Sequence, residues 1–124
     1  MEPIVPDQLA ADVPLSPGYA AGDFVFVSGQ IPRDPESGAI VGEDIGDQTK
    51  QTIENIAAVL DEANLGLEDV VKTQVFLTDV EDFAGMNAVY SEAFPEPYPA
   101  RSALEVGDLA ADILVEIEAI AYRD

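Results

Sequence analysis

Between Ile45 and Ala63, apolar or small residues recur at Ile45, Thr49, Thr52, Ile53, Ile56, Leu60 and Ala63. A spacing of three and four draws one stripe along an α-helix, and such a stripe has to be buried against another element. The flanking sequence supplies the partner. FVFVSGQI (Phe24 to Ile31) precedes the helix and VVKTQVFL (Val70 to Leu77) follows it, both rich in the β-branched and aromatic residues of strands. In the first run Phe24, Phe26, Ser28 and Gln30 point one way, and Val25, Val27, Gly29 and Ile31 the other. Asn64 and Gly66 suit the helix C-terminus, since both tolerate the left-handed conformation that such an end favours.

The rest of the chain repeats the theme. Thr78 with Glu81 fits a capping box, and a second helix is predicted from about Val80 to Phe94, with Phe83, Met86, Tyr90 and Phe94 along its apolar stripe and Asn87 within it. The prolines from Pro95 to Pro99 end it, because a helix cannot continue through them. Two more strands are expected at Ala100 to Val106 and, after the connector GDLAAD, at Ile113 to Tyr122. The N-terminal segment, spaced by Pro3, Pro6, Pro14 and Pro17, reads as a lead-in to the first strand, and PRDPESGAI as a turn. The order strand, helix, strand, helix, strand, strand predicts an α+β fold with two helices packed on one face of a mixed sheet. In the last strand Leu114, Glu116, Glu118, Ile120 and Tyr122 share the uncovered side, a natural subunit interface. At 124 residues the chain is read as one domain, residues 1–124, without repeats or low-complexity segments.

Composition removes several chemistries. The chain has no cysteine and no histidine, so zinc sites, disulfides and cysteine or serine–histidine nucleophiles are excluded. No apolar run reaches membrane-spanning length, and MEPIVPDQLA lacks the order of a signal peptide, so a cytoplasmic protein is expected. Twenty-five acidic residues against five basic ones give a formal net charge of −20, which disfavours nucleic acid and anionic membranes as partners. The carboxylates are scattered from Asp7 to Asp108, and no loop carries the spacing of a calcium site. The pattern reads as adaptation of a whole surface to high salt, as in a halophile.

Among the few cations Arg101 stands out, because it follows Tyr98-Pro99-Ala100 into a strand. A guanidinium there grips a ligand carboxylate with two parallel hydrogen bonds, or else neutralises Glu116 or Glu118; the residue types leave both open. Glu116 and Glu118 project to one side of their strand, where one could pair with Arg101 and the other orient water, or both could face solvent. Asn87 is read either as a substrate hydrogen-bonding group or as a stitch from helix to loop. Ser28-Gly29-Gln30 offers a place where backbone approaches a ligand closely.

These segments resemble the RidA (YjgF) family of imine deaminases. The resemblance is carried by PARSALEVGDLAADILVEIEAIA (Pro99 to Ala121), GDFVFVSGQIP, QTIENIAAVLDEANLGLEDVVKTQVFLTDVEDF and MNAVYSEAF, and it spans Gly22 to Tyr122. It implies a chorismate-mutase-like α+β subunit in a homotrimer, with sites between neighbours and no cofactor. By the same resemblance, Arg101 and the backbone amide of Ala103 bind the carboxylate of a 2-imino or 2-enamino acid. Glu118 positions the hydrolytic water, and Ser28 and Asn87 line the pocket. Two positions depart from the pattern: Leu15 stands where the family tyrosine falls, with Tyr19 as its nearest substitute, and Ala103 replaces a frequent cysteine. The implied reaction releases ammonia and a 2-oxo acid, such as pyruvate from 2-aminoacrylate. The competing readings are a regulatory module that binds a small 2-oxo acid without turnover and a chorismate-mutase-type enzyme.

The charge makes its own prediction. Screening by molar KCl should raise the unfolding temperature above that in dilute buffer, because self-repulsion of the folded surface is relieved. A thermal scan with the same midpoint in both conditions would remove the high-salt reading.

Overall fold

The computed structural model describes residues 1–9 and 12–124. Its strands β1 (Glu2–Ile4), β2 (Gly18–Ala21), β3 (Phe24–Gln30), β4 (Val70–Leu77), β5 (Ala100–Glu105) and β6 (Val115–Tyr122) form one sheet in the order β1-β2-β3-β6-β4-β5. β4 and β5 run parallel and the other neighbours antiparallel, so the sheet is mixed. Helix α1 (Ile45–Glu62) links β3 to β4, and α2 (Phe83–Ala93) is the crossover that the parallel β4–β5 pair requires.

The helical stripe is buried as its spacing demands. Thr49, Thr52, Ile53, Ile56, Val59 and Leu60 of α1 are buried over one face of the sheet, where Val25, Val27, Val75, Leu77, Val115, Ile117, Ala119 and Ala121 complete the core. Met86, Tyr90 and Phe94 are buried from the side of α2. The Asp44 carboxylate caps α1 by accepting the Asp47 N–H at 2.8 Å, and Asn64 closes its far end at φ 62°. Gly66, at φ −132°, does not take the left-handed conformation expected of it.

The other face is open and aromatic. Phe24, Phe26, Tyr19 and Tyr122 stay 43%, 44%, 41% and 38% exposed, and the Phe24 and Tyr122 rings meet edge to face with centroids 5.2 Å apart. Large apolar side chains grouped this way mark a surface built for contact.

Four local expectations are corrected. The lead-in contains two strands, β1 and β2, whose brevity and prolines hide them; Pro3 is tolerated because β1 is an edge. A β-bulge between Val27 and Gln30 breaks the alternation of β3, so Gly29 turns toward the open face instead of joining Val25 and Val27. Asp79, not Thr78, caps the turn Val80–Asp82 by accepting the Glu81 N–H at 2.9 Å, and α2 itself begins at Phe83. Finally, β5 ends at Glu105 and β6 begins at Val115, each shorter than its sequence pattern.

Asn55, buried in α1, pins the turn that follows β3. Its amide donates to the carbonyls of Ile31 at 3.0 Å and Arg33 at 2.9 Å, while Gln51 donates to its oxygen at 3.0 Å. Asn55→Ala deletes all three bonds and leaves buried groups unpaired, a cost of about 1–3 kcal/mol. Urea denaturation reads this directly, and an unchanged midpoint would show that the turn holds without Asn55.

Candidate functional site

Arg101 lies on β5 opposite Thr73 of β4, on the face covered by the helices. β5 is an edge strand, and Arg101 is half-buried. Its guanidinium sits over the ring of Tyr90, 4.9 Å from the centroid, and beside that of Phe83 at 5.5 Å. Nη1 donates to Asn87 Oδ1 at 2.6 Å and approaches Met86 Sδ at 4.0 Å. No carboxylate is among these partners, so neither Glu116 nor Glu118 neutralises the arginine within the chain.

The bed under the arginine comes from one helical face. Phe83, Asn87 and Tyr90 are four and three residues apart on α2, so they point the same way. The stripe was visible in the sequence, but its aromatic members read as core; only their coincidence with the single arginine of the next strand marks them as a cation platform. A guanidinium only donates, so Asn87 must turn its oxygen to Arg101 and leave its NH₂ for another acceptor.

A cleft of about 330 Å³ opens here, lined by Asn87, Tyr90, Ser91, Tyr98, Pro99 and Arg101, with no acidic side chain in its wall. Ser91 and Tyr98 were not anticipated; they enter because α2 and the segment before β5 meet at this edge. The N–H of Val106 bonds the Leu77 carbonyl at 2.8 Å, toward β4. By the period-two alternation of a strand, the N–H groups of Arg101 and Ala103 then point to the free edge, available to a ligand.

The remaining candidates lie elsewhere. Glu118 pairs in register with Gln74 and projects from the open face, so β4 separates it from β5 and the sheet itself from the Arg101 side chain. One chain does not bring Arg101 and Glu118 together. Ser28 sits in the bulge of β3; its hydroxyl donates to the Ser16 carbonyl at 2.6 Å and its N–H to that of Pro17 at 2.9 Å, tying down the preceding loop. Leu15 lines a second cleft of about 460 Å³ with Pro17, Gly29, Ile31 and Arg33. Tyr19 does not line that cleft: it pairs with Phe26 in β2 and projects on the open face.

Glu116 packs its carboxyl against Gly29, where a Cβ would collide with it. Burial first, and the neighbouring Glu118 charge second, push this carboxyl above the usual carboxylate range.

The model of the family described as endoribonuclease L-PSP matches residues 5–123. A 2-iminobutanoate/2-iminopropanoate deaminase of Salmonella typhimurium is 47% identical over 117 residues, covering 92% of this chain and 91% of that one. A RutC family protein of Pyrococcus abyssi is 57% identical over 111 residues, covering 90% and 87%. The crystal structure of the YjgF gene product from Escherichia coli superposes with a TM-score of 0.95 at 39% identity, covering 100% of both chains.

The Glu116 shift fixes the sign of a pH effect. A raised folded value means that the folded chain binds this proton more tightly than the unfolded chain. Its stabilisation is therefore full below the unfolded value near 4.5 and is lost as pH rises through the folded one. Glu116→Gln should unfold at a higher temperature than wild type near about pH 8 and lose that advantage near about pH 4. Scanning calorimetry across this range decides it, and parallel curves for the two proteins would refute the assignment.

Proposed function

The chain belongs to the RidA (endoribonuclease L-PSP) family, and on that premise we propose that it is a hydrolytic deaminase of 2-imino and 2-enamino acids. The observation that carries this reading is the state of Arg101: a guanidinium held on two rings and a neutral amide, facing a cleft without acids. Among the described residues such a charge has no ionic partner, and a substrate carboxylate supplies one. Two outward N–H groups on the same strand edge, of which Ala103 is the second, and the Asn87 NH₂ offer further donors to that carboxylate or the atom beside it.

With the carboxylate clamped, water held by Glu118 attacks the imine carbon. The new C–O bond forms as the C=N π pair moves onto the protonated nitrogen and a water proton passes to Glu118. Glu118 then returns that proton to the nitrogen of the carbinolamine, the C–N bond breaks with its pair leaving on ammonia, and the hydroxyl oxygen gives its proton to solvent as it becomes the carbonyl. A 2-oxo acid remains. A 2-enamino acid such as 2-aminoacrylate first takes a proton on carbon to become the imine. The reaction needs no cofactor, because a protonated imine is already electrophilic; fixing it and orienting one water supplies the acceleration.

Arg101 and Glu118 project from opposite faces of the sheet, so the proposed active unit is a homotrimer whose sites take Arg101 from one copy and Glu118 from its neighbour. The aromatic open face is the surface such an assembly covers. Leu15, Ser28, Gly29 and Tyr19 belong to the half contributed with Glu118. Leu15 makes that half more apolar than the family pattern. A net charge of −20 argues against RNA as substrate, and a chorismate-mutase-type reaction on a dianion would find one cation in the Arg101 cleft.

The test generates 2-aminoacrylate in place, in molar KCl, and follows pyruvate release. Arg101→Ala should lower kcat/KM on the order of 100-fold. Glu118→Gln should keep pyruvate binding and lose turnover; a wild type that binds pyruvate but releases none from 2-aminoacrylate would favour a binding module over an enzyme. Equal rates for wild type, Arg101→Ala and buffer alone would overturn the proposal.

A further inference from the structure

Thr73 and Tyr90 bury their hydroxyls against each other, 2.7 Å apart, between β4 and α2. Thr73 is 0% exposed and Tyr90 4%. Burial pushes the Tyr90 hydroxyl above its ordinary range, against the lowering influence of Thr73 and Arg101, so it stays protonated at neutral pH. A hydroxyl pair is a poor way to fill a core. Phenylalanine and valine of nearly the same shape would occupy the space without any polar group to satisfy, and such paired replacements are close to neutral for stability.

What the hydroxyls do provide is direction. Thr73 is the register partner of Arg101 on the adjacent strand, and the Tyr90 ring lies under the Arg101 guanidinium. The contacts close a circuit: the parallel pairing of β4 with β5 sets Thr73 beside Arg101, the Thr73 hydroxyl meets the Tyr90 hydroxyl, and the Tyr90 ring meets the guanidinium. Phe94 stacks against Tyr90 with centroids 4.4 Å apart, which backs the ring on another side. A guanidinium at the end of a long, flexible side chain, on an edge strand, loses its directional value unless its plane is fixed, because bidentate recognition of a carboxylate requires the two planes to coincide.

We infer that Tyr90, pinned by Thr73, is a positioning residue that sets the plane of the Arg101 guanidinium and thereby the orientation of the bound carboxylate. The inference rests on Arg101 being the carboxylate-binding group. The hydroxyl pair acts on ligand geometry through the ring, without touching the reacting atoms. Because the carboxylate is held alike in the ground state and the transition state, its loss of alignment appears in KM and in product affinity more than in kcat.

The experiment compares wild type with the double variant Tyr90→Phe/Thr73→Val, which removes both hydroxyls together, and with Thr73→Ser, which keeps one to bond Tyr90. Each is read by urea midpoint, by KM and kcat on 2-iminopropanoate, and by pyruvate affinity from calorimetry. The double variant should keep a midpoint close to wild type while KM and the pyruvate Kd rise about five- to tenfold and kcat stays within about twofold. Thr73→Ser should restore wild-type values of both. A double variant with unchanged KM and Kd would overturn the assignment and leave the pair a purely structural contact. If the double variant unfolds, Tyr90→Phe alone carries the comparison: a raised Kd beside a normal Thr73→Ser supports the assignment, and a wild-type Kd overturns it. Pyruvate binding without turnover in the wild type would sink the deaminase reading alone, since the Kd comparison still reports on Arg101.

Discussion

The guanidinium of Arg101 rests on Tyr90 and Phe83 and is tied to an amide oxygen, so its charge is positioned but not cancelled. That is unusual in a chain with 25 acidic residues and five basic ones. The surrounding field repels anions at long range, but it is screened within roughly 8–10 Å at ordinary salt and within about 3 Å at molar salt. Close contact is then decided by the local cation, and here the cleft wall contributes no opposing carboxylate. Ring faces suit this purpose better than an acid would: they hold the cation in place while leaving its in-plane donors free.

The second constraint is topological. Side chains of a strand alternate between faces, and the register places Arg101 with Thr73 on the covered side while Glu118, with Gln74, emerges on the open one. No rotamer moves a side chain through a sheet. Any chemistry that uses both residues on one small molecule therefore requires a second copy of the chain, and the aromatic surface of Phe24, Phe26, Tyr19 and Tyr122 is where such a copy would seat. On this account the bulge at Ser28-Gly29 and the close fit of Gly29 to Glu116 shape the half of the site that belongs with Glu118.

Much of the fold was legible because period reports packing. The stripe of α1, the two β-branched runs and the polar-apolar alternation of β6 all follow from which face is buried, and the mixed sheet with both helices on one side follows from their order. Arg101 was legible for a different reason: cations are so scarce that one inside a strand draws notice. What stayed hidden depends on relations between distant residues. β1 and β2 are three and four residues long and sit among prolines, too short to show a period. The bulge reverses the facing of Gly29 through one extra residue that composition does not announce. Tyr90 and Phe83 read as core until β5 is laid beside α2, and the pairing of Glu116 or Glu118 with Arg101 fails because strand order, unlike strand position, is not written in the pattern.

A crystal structure of the assembled protein with pyruvate bound tests the central claim most directly. The account requires the pyruvate carboxylate to lie in the plane of the Arg101 guanidinium, above Tyr90, with Glu118 of a neighbouring copy facing the 2-carbon. Pyruvate seated away from Arg101, or a carboxylate of the neighbouring chain already occupying that guanidinium, would contradict it.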